Sequence, residues 1–304
     1  MTYYLGIDGG GTKTKVIVMD GEEKMVYEGT SGPSSTDTVS PNETLGAFHH
    51  ALQSFFDKNP KATFKSVFIG LGGIVSDDDC KQVEDLVLRL KGVNKDSVIR
   101  ARNDMENALY SGLLFDEGIA LICGTGMVAF GKNQHGETHK AGGWGYKEGD
   151  FGSSYDLGMR SLRHVIKAFD GRETHTAFSN EVAKMIGMES TSDYVKIMNK
   201  NYTERTWIAS LAPLVTKHAL LNDSIAQNIV WEATQELSLA VDAVRKRLKI
   251  ESPTLVIVGS LGHAKGYHET LVEALKNRIP DLKIISPQVD PAYAAALMAK
   301  KLIK

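Results

Sequence analysis

The sequence has little cysteine, little net charge and no long apolar run, and each shortage excludes a class of protein. Only Cys80 and Cys123 occur among 304 residues, with no CxxC spacing, which excludes a disulfide framework and the usual zinc or iron–sulfur signatures. A formal net charge of −2 predicts no nucleic acid or anionic membrane as partner. No apolar run approaches the roughly 20 residues of a membrane span, and no basic, apolar leader precedes the first predicted strand. We therefore expect a cytoplasmic globular protein.

Three consecutive glycines follow the first apolar run, and they give the strongest indication of function. The run Tyr3–Ile7 predicts a buried strand, and Asp8-Gly9-Gly10-Gly11-Thr12-Lys13-Thr14 follows it. Glycines let backbone N–H groups approach an anion that any Cβ would hold away, and the threonines add hydroxyl donors. Asp8 is suited to hold a hydrated divalent cation. Because the chain continues as a second strand, Lys15–Met19, a Walker loop and a dinucleotide fingerprint are both excluded.

The same arrangement occurs again at Gly124-Thr125-Gly126, which joins a strand ending at Cys123 to a strand starting at Met127. One such turn is typical of a plain hairpin. Two of them, each opening one half of the chain, favour an internal duplication of a phosphate-binding domain. We place the domains at residues 1–115 and 116–304.

Strands and helices alternate along most of the chain, which predicts an α/β protein of mostly parallel sheets covered by helices. A helical insertion is predicted over residues 153–248, with breaks at Gly171 and Gly187. We expect the final helix, from Pro291, to pack back on the first domain. Two further helices are expected over residues 78–91 and 104–114.

Asn103-Asp104 follows a predicted strand and opens a helix. Asp104 alone could be a helix N-cap. However, it lies at the carboxyl end of a strand, where ligands collect in open α/β sheets. A carboxylate there can accept the proton of a substrate hydroxyl that attacks a γ-phosphoryl group.

Five glycines surround Trp144 between Ala141 and Ser153, and Asp150 precedes a predicted helix. Glycines at this density are typical of backbone that passes close to a ligand. A sugar would use acids and backbone groups for its hydroxyls, beside an aromatic face. The alternative is a structural loop in which Asp150 caps the next helix. Gly259-Ser260 ends another strand and could approach a nucleotide, although most such connections are simple turns.

Taken together, these motifs resemble the N-acetylglucosamine kinases, which group with the BadF/BadG/BcrA/BcrD-type ATPases in the actin, Hsp70 and sugar kinase superfamily. The resemblance extends over the whole chain. It implies two ribonuclease-H-like domains with the active-site cleft between them, ATP and Mg²⁺ as cofactors, an amino sugar as substrate and a homodimer.

The resemblance also implies roles by position. Asp104 is the base on the sugar 6-hydroxyl, and Asp8 holds Mg²⁺ through water. The positions implied for binding the ATP phosphates are Gly10, Gly11, Thr12, Lys13, Gly124, Thr125 and Gly126. The positions implied near the adenosine are Ala209, Gly259 and Ser260. The positions implied at the sugar are Ser35, Asn103, Asp104, Gly143, Trp144, Gly145 and Asp150.

Three departures from the family leave the sugar open. Met127-Val128 replaces a polar Ser-Asn pair, Ser34-Ser35-Thr36 lacks an Asn, and Phe151 stands where Glu is common. These replacements make the rim of the expected sugar site less polar, which favours a bulkier substrate. N-acetylmuramic acid is therefore a candidate substrate in addition to N-acetylglucosamine.

Three alternatives stay open from the sequence. A glucosamine or other hexose kinase would differ in a single contact to the acetyl group. An ATPase activator of a 2-hydroxyacyl-CoA dehydratase or benzoyl-CoA reductase would need cysteines at an iron–sulfur cluster. A sugar-sensing repressor would need an N-terminal helix-turn-helix, and the sequence provides none.

Overall fold

The computed structural model describes residues 2–303, which fall into two compact units. Unit 1 comprises residues 1–115 together with 287–304, and unit 2 comprises residues 116–286. The chain therefore leaves unit 1 once and returns to it for its final helix.

Unit 1 begins with five strands and three helices: β1 (Tyr3–Gly9), β2 (Thr14–Met19), β3 (Met25–Ser31), α1 (Pro41–Lys58), β4 (Phe64–Leu71), α2 (Asp77–Val87), β5 (Val98–Arg102) and α3 (Asp104–Ser111). Unit 2 has five strands and seven helices: β6 (Gly118–Cys123), β7 (Met127–Lys132), β8 (Thr138–Gly142), α4 (Ser154–Phe169), α5 (Ala177–Ile186), α6 (Thr191–Asn201), α7 (Arg205–Ala209), α8 (Ala212–Leu220), α9 (Ser224–Leu248), β9 (Thr254–Val258), α10 (His268–Arg278) and β10 (Lys283–Ile285). The last helix, α11 (Pro291–Lys301), belongs to unit 1.

Both units contain a five-stranded sheet with the same topology. The strand order is β3-β2-β1-β4-β5 in unit 1 and β10-β9-β6-β7-β8 in unit 2, so β6 corresponds to β1 and β9 to β4. In each sheet three strands form antiparallel hairpins and two strands join in parallel. The predicted α/β fold with two similar halves is confirmed.

The expectation of mostly parallel sheets was wrong, since antiparallel and parallel pairings are equally frequent in each sheet. The short turns between β1, β2 and β3 bring the chain straight back beside the strand that it has just left. A parallel neighbour requires a crossover of a dozen or more residues. The helices that alternate with the later strands supply such crossovers only there.

Helix α11 packs directly on the first strand of unit 1. Gly6 of β1 has no side chain, and a Cβ built there would lie 2.1 Å from the backbone nitrogen of Ala296. Ser66 of β4 also donates a hydrogen bond to the carbonyl of Ala299. The opposite face of the same sheet is covered by α1, which buries Phe48 and Phe55. With helices on both faces, β1 is apolar along nearly its whole length.

Two helices end earlier than the sequence predicted. Helix α2 ends at Val87, and a turn then leads to Gly92, whose φ is +87°. Helix α3 ends at Ser111, because Leu113 adopts a left-handed φ of +60°. In contrast, the predicted breaks of the helical insertion hold, since α4 ends before Gly171 and Gly187 caps α5 with a φ of +73°.

Among the helices of residues 2–303, none combines the length and the apolar character that crossing a membrane requires.

Candidate active site

The glycine loop of unit 1 joins β1 to β2 as a tight hairpin. The amide of Gly10 donates to the carbonyl of Lys13 at 3.0 Å, which closes the turn. Gly11, Thr12 and Lys13 are exposed, so their backbone and the Thr12 hydroxyl are accessible to an anion. Thr14 is different: it is buried, and its Oγ1 lies 2.7 Å from the carbonyl of Gly32. Its hydroxyl therefore donates within the fold. This differs from our expectation that both threonines would offer hydroxyl donors to a phosphate.

Asp104 is the first residue of α3, and it does not cap that helix. The N-cap is Asn103, whose Oδ1 accepts from the amide of Met105 at 3.0 Å. The other end of the same side chain donates to the carbonyl of Ile74 at 2.7 Å. The capping alternative for Asp104 is therefore wrong. Both ends of the Asn103 amide already have partners within unit 1.

Asp8 and Asp104 form an acidic pair, with the charges of Lys15 and Lys13 acting on Asp8. Burial raises the pKa of Asp8 from 3.8 to about 6, and a hydrogen bond from Asn107 partly opposes this shift. Burial also raises the pKa of Asp104 to about 7, with the charges of Asp8 and Asp37 acting in the same direction. Two carboxylates facing each other cannot both ionise easily. Asp104 therefore has a pKa close to neutral, which suits a general base.

Asn107 holds Asp8 in place, and it belongs to none of the motifs identified in the sequence. Its Nδ2 lies 2.7 Å from Oδ1 of Asp8 and 3.1 Å from the carbonyl of Ile7. Asn107 is fully buried, and it fits only because Gly70 has no Cβ; a Cβ there would lie 2.1 Å from Nδ2. Its position three residues after Asp104 puts both on one face of α3, which is the only sequence signal for it.

Ser35 lies beside the acidic pair. A Cβ on Gly72 would be 2.7 Å from Oγ of Ser35 and 3.5 Å from Oδ2 of Asp104, so these two side chains flank the same glycine. Ser35 is 3% exposed, and its hydroxyl donates to Asp37. Unit 1 thus brings together Asp8 of β1, Ser35 of the loop between β3 and α1, and Asp104 of α3.

The two pKa shifts predict how stability depends on pH. Because the folded pKa values of Asp8 and Asp104 lie above 3.8, the native state retains protons that the unfolded chain loses between about pH 4 and 7. Stability from these groups is present at low pH and falls as pH rises to about 7. We predict that Asp104→Asn raises the melting temperature of the ligand-free protein by a few degrees at pH 8 and by less at pH 5. Thermal melts of both proteins at both pH values measure this, and an equal gain at the two pH values would contradict it.

The second glycine turn, in unit 2, is tied to helix α4. The amide of Gly124 donates to the carbonyl of Gly126 at 3.0 Å, and the amide of Ser154 donates to the carbonyl of Gly124 at 2.8 Å. Thr125 at the tip of the turn is exposed. Gly259 packs against the strand before this turn: its φ is +100°, and a Cβ there would lie 2.4 Å from the carbonyl oxygen of Cys123.

The remaining residues predicted near the adenosine differ in accessibility. Ser260 directly follows Gly259 and is exposed. Ala209 ends α7 and is only 8% exposed, within the hydrophobic core of unit 2. A buried alanine could offer a nucleotide little beyond its backbone.

The glycine-rich segment places Trp144 at the surface of unit 2. Its side chain is 69% exposed, and Nζ of Lys140 lies 4.0 Å from the ring centroid. Gly143 and Gly145 on either side have φ of +66° and +127°, so the backbone here requires glycine. The ring is held by a cation and open on the surface, which is compatible with a sugar face.

Asp150 forms an ion pair instead of a helix cap. Helix α4 is capped by Ser153, whose Oγ accepts from the amide of Asp156 at 3.2 Å. Oδ2 of Asp150 lies 3.0 Å from Nη2 of Arg205. Burial raises the pKa of Asp150, and Arg205 and the amide of Met127 oppose that shift. The capping alternative is wrong here as well, and Arg205 is a neighbour that the sequence did not reveal.

Both cysteines are buried thiols. Cys123 ends β6 with no exposed surface, and burial raises the pKa of its thiol to about 12. Burial also raises the pKa of the Cys80 thiol. Metal clusters bind thiolates, which form in exposed, electropositive surroundings. Neither cysteine meets that condition, and within residues 2–303 no group of three or more His, Cys, Asp or Glu could hold a metal ion directly.

Comparisons with known proteins identify relatives over the whole chain. The model of the BadF/BadG/BcrA/BcrD ATPase family matches residues 5–299. The chain is 29% identical to an N-acetylmuramic acid/N-acetylglucosamine kinase of Clostridium acetobutylicum, covering 99% of each protein. It is 30% identical to an N-acetyl-D-glucosamine kinase of Dictyostelium discoideum, covering 97% of each. A solved structure from Chromobacterium violaceum, provisionally named an N-acetylglucosamine kinase, shares the fold with a TM-score of 0.79, 22% identity and 98% coverage of both chains.

Proposed function

The chain belongs to the BadF/BadG/BcrA/BcrD ATPase family, and from that premise we propose that it is an ATP-dependent kinase that phosphorylates the 6-hydroxyl of an N-acetylated amino sugar. The observation that carries the proposal is Asp104: a partly buried carboxyl that is not the N-cap of its helix and has a pKa of about 7. The names of the two curated relatives support the sugar kinase assignment.

In the proposed reaction Asp104 accepts the proton of the sugar 6-hydroxyl. The sugar oxygen forms a bond to the γ-phosphorus while the bond from that phosphorus to the bridging oxygen of ADP breaks. Asp8 lies beside Asp104, and its negative charge disfavours ionisation of Asp104 and thus favours proton uptake. Asn107 fixes the Asp8 carboxyl so that this field has a defined direction.

A magnesium ion fits the residues of unit 1. The partly buried carboxyl of Asp8 accepts a hydrogen bond from Asn107 and has the charges of Lys15 and Lys13 near it, and Asp8 would hold the ion through water. Bound there, Mg²⁺ would neutralise charge on the nucleotide phosphates. The exposed glycine turns would contribute backbone amides to those phosphates, with the hydroxyls of Thr12 and Thr125 beside them.

In unit 1 we propose Ser35 as a residue that contacts the sugar. In unit 2 we propose Trp144 and the backbone of Gly143 and Gly145 for contacts to the sugar. Met127 is only 5% exposed and lies in the core of unit 2, so among the apolar replacements Val128 and the half-exposed Phe151 are those that favour a substrate with an additional substituent, as in N-acetylmuramic acid. N-acetylglucosamine is the other candidate, and a glucosamine or hexose kinase remains the alternative. The buried cysteines argue against the iron–sulfur activator. Cytoplasmic location and a homodimer stay predictions.

An acceptor panel tests the substrate. We predict that ADP release from Mg-ATP is stimulated by N-acetylglucosamine, N-acetylmuramic acid or both, and at least about tenfold less by glucosamine, N-acetylmannosamine and glucose. Glucosamine and glucose lack the acetyl group, and N-acetylmannosamine carries it in the opposite configuration at C2, so each would leave a polar contact to that group unmade. ADP is measured with a coupled assay at a fixed concentration of each sugar. Stimulation by glucosamine or glucose alone would select the hexose kinase alternative.

The pKa of the base predicts the pH profile of the enzyme. Because Asp104 must be ionised to accept a proton and its pKa is about 7, kcat/KM for the sugar should rise with pH and level off above about 7, falling about tenfold per pH unit on the acid side. The apparent value belongs to the coupled pair of Asp8 and Asp104. Initial rates between pH 5 and 9 measure the profile, and a plateau that extends unchanged to pH 5 would contradict this assignment.

A further inference from the structure

Arg205 lies directly against the glycine turn of unit 2. It is the first residue of α7, and a Cβ on Gly126 would be only 2.3 Å from its Nη2. The same Cβ would be 2.6 Å from Oδ2 of Asp150. Glycine is therefore favoured at position 126 by the turn and also by these neighbours. Any side chain there would displace the Arg205 guanidinium and the Asp150 carboxylate.

Two contacts fix the guanidinium at this position. Asp150 pairs with Nη2 at 3.0 Å, and its carboxylate is itself buried and hydrogen-bonded by the amide of Met127, the residue after the turn. The guanidinium carbon also lies 5.3 Å from the centroid of the Tyr146 ring. The Asp150 carboxylate and the Tyr146 ring together orient the planar group.

Most of the donors on this guanidinium are not used. Arginine carries five N–H donors. Within residues 2–303, Nε of Arg205 is buried without a hydrogen-bond partner, and the hydrogen bond to Asp150 uses Nη2. Even so, 42% of the side chain is exposed. A pre-oriented, partly exposed arginine with free donors suits a phosphate group, which can accept two parallel N–H bonds.

We infer that Arg205 is a phosphate-binding residue of the nucleotide site, and that Asp150 is the positioning residue that holds it at the Gly124–Gly126 turn. The inference rests on the proposed function, since that function brings the phosphates of ATP to this turn. The positive charge of Arg205 would stabilise the negative charge that develops on the oxygens of the transferred phosphoryl group. Asp150 then acts through Arg205, in addition to or in place of a direct contact to the sugar.

The test compares Arg205→Met, Arg205→Lys and Asp150→Asn with wild type and with Arg172→Met. Arg172 is the matched control, because it forms an exposed ion pair with Asp170 in the same unit. Arg205→Met should lower kcat/KM for ATP by about 100-fold, corresponding to the loss of hydrogen bonds to a charged group. Calorimetric affinity for ATP should fall about tenfold or more, with the KM for the sugar nearly unchanged. Arg205→Lys should recover part of the loss, and Arg172→Met should match wild type.

Other outcomes would overturn the inference. If Arg205→Met binds ATP like wild type, the arginine does not contact phosphate. If its defect is confined to N-acetylmuramic acid and N-acetylglucosamine is still phosphorylated, the anion that it recognises is the carboxylate of the sugar. Thermal melts show whether Arg205→Met is folded, and Arg205→Lys provides the affinity measurement if it is not. A wild-type protein that binds ATP but phosphorylates no sugar would refute the proposed function, while the ATP affinities of the variants would still decide the role of Arg205.

Discussion

Asp104→Asn is expected to lower kcat by about a thousandfold and to leave the KM for the sugar within a few fold. The amide has nearly the shape of the carboxyl, but it cannot accept a proton from the attacking hydroxyl, and general base catalysis contributes about 10²–10⁴ in rate. The buried charge is also removed, so the inactive variant should melt at a higher temperature than wild type at pH 8. Steady-state kinetics with saturating Mg-ATP measure the loss.

The matched control is Asp78→Asn. Asp78 lies in the first turn of α2 as Asp104 lies in the first turn of α3, but it is exposed and outside the acidic pair. It should retain wild-type kcat and show no gain in melting temperature. If Asp104→Asn retained more than a tenth of the wild-type kcat, Asp104 would not be the base, and the hydroxyl would lose its proton elsewhere.

Gly6→Ala should destabilise the protein by at least about 3 kcal/mol. The added Cβ would lie 2.1 Å from the nitrogen of Ala296 and 2.5 Å from the carbonyl oxygen of Ala292, both backbone atoms of α11. No rotamer change can relieve such a clash, so α11 must move away from β1. Denaturant unfolding measures the change in the free energy of unfolding, and poor yield of folded protein is the extreme form of the same result.

Gly46→Ala is the control for this substitution. Gly46 lies within α1, is exposed, and has nothing within 4 Å of the position of a Cβ. Alanine is preferred over glycine inside a helix by about 0.5–1 kcal/mol, so this variant should be more stable than wild type. Equal stability of the two alanine variants would show that α11 does not pack on β1 as described.

Local patterns in the sequence predicted most of the fold. Apolar runs bounded by glycines located β1, β2, β6 and β7, and the repeated turn predicted two sheets of one design. These features depend only on residues that are close together in the sequence. The pairing directions were predicted incorrectly, because alternation of strands and helices does not show which strands return through a short turn. The ends of α2 and α3 were misplaced for a similar reason, since Leu113 gives no sign in the sequence of its left-handed backbone.

The candidate site was predictable only in part. Asp8, Asp104 and the glycine turns stand out because their residue types are unusual at the end of a strand. Asn107 and Arg205 do not stand out, because their importance comes from partners 99 and 55 residues away in the sequence, Asp8 and Asp150. The raised pKa values likewise depend on burial, on the charge of Asp290 near Asp8, and on the charges of Asp8 and Asp37 near Asp104. Such contacts appear only once the fold has brought the residues together.

Identification of the product tests the central claim most directly. The wild-type protein is incubated with Mg-ATP and each N-acetylated sugar, and the product is examined by phosphorus–proton correlation NMR, with the 6-deoxy sugar as a matched control. We expect one phosphate ester coupled to the protons on C6, formed in equal amount with ADP, and no turnover of the 6-deoxy sugar. A phosphate on another carbon, or ADP released equally with the 6-deoxy sugar, would contradict it.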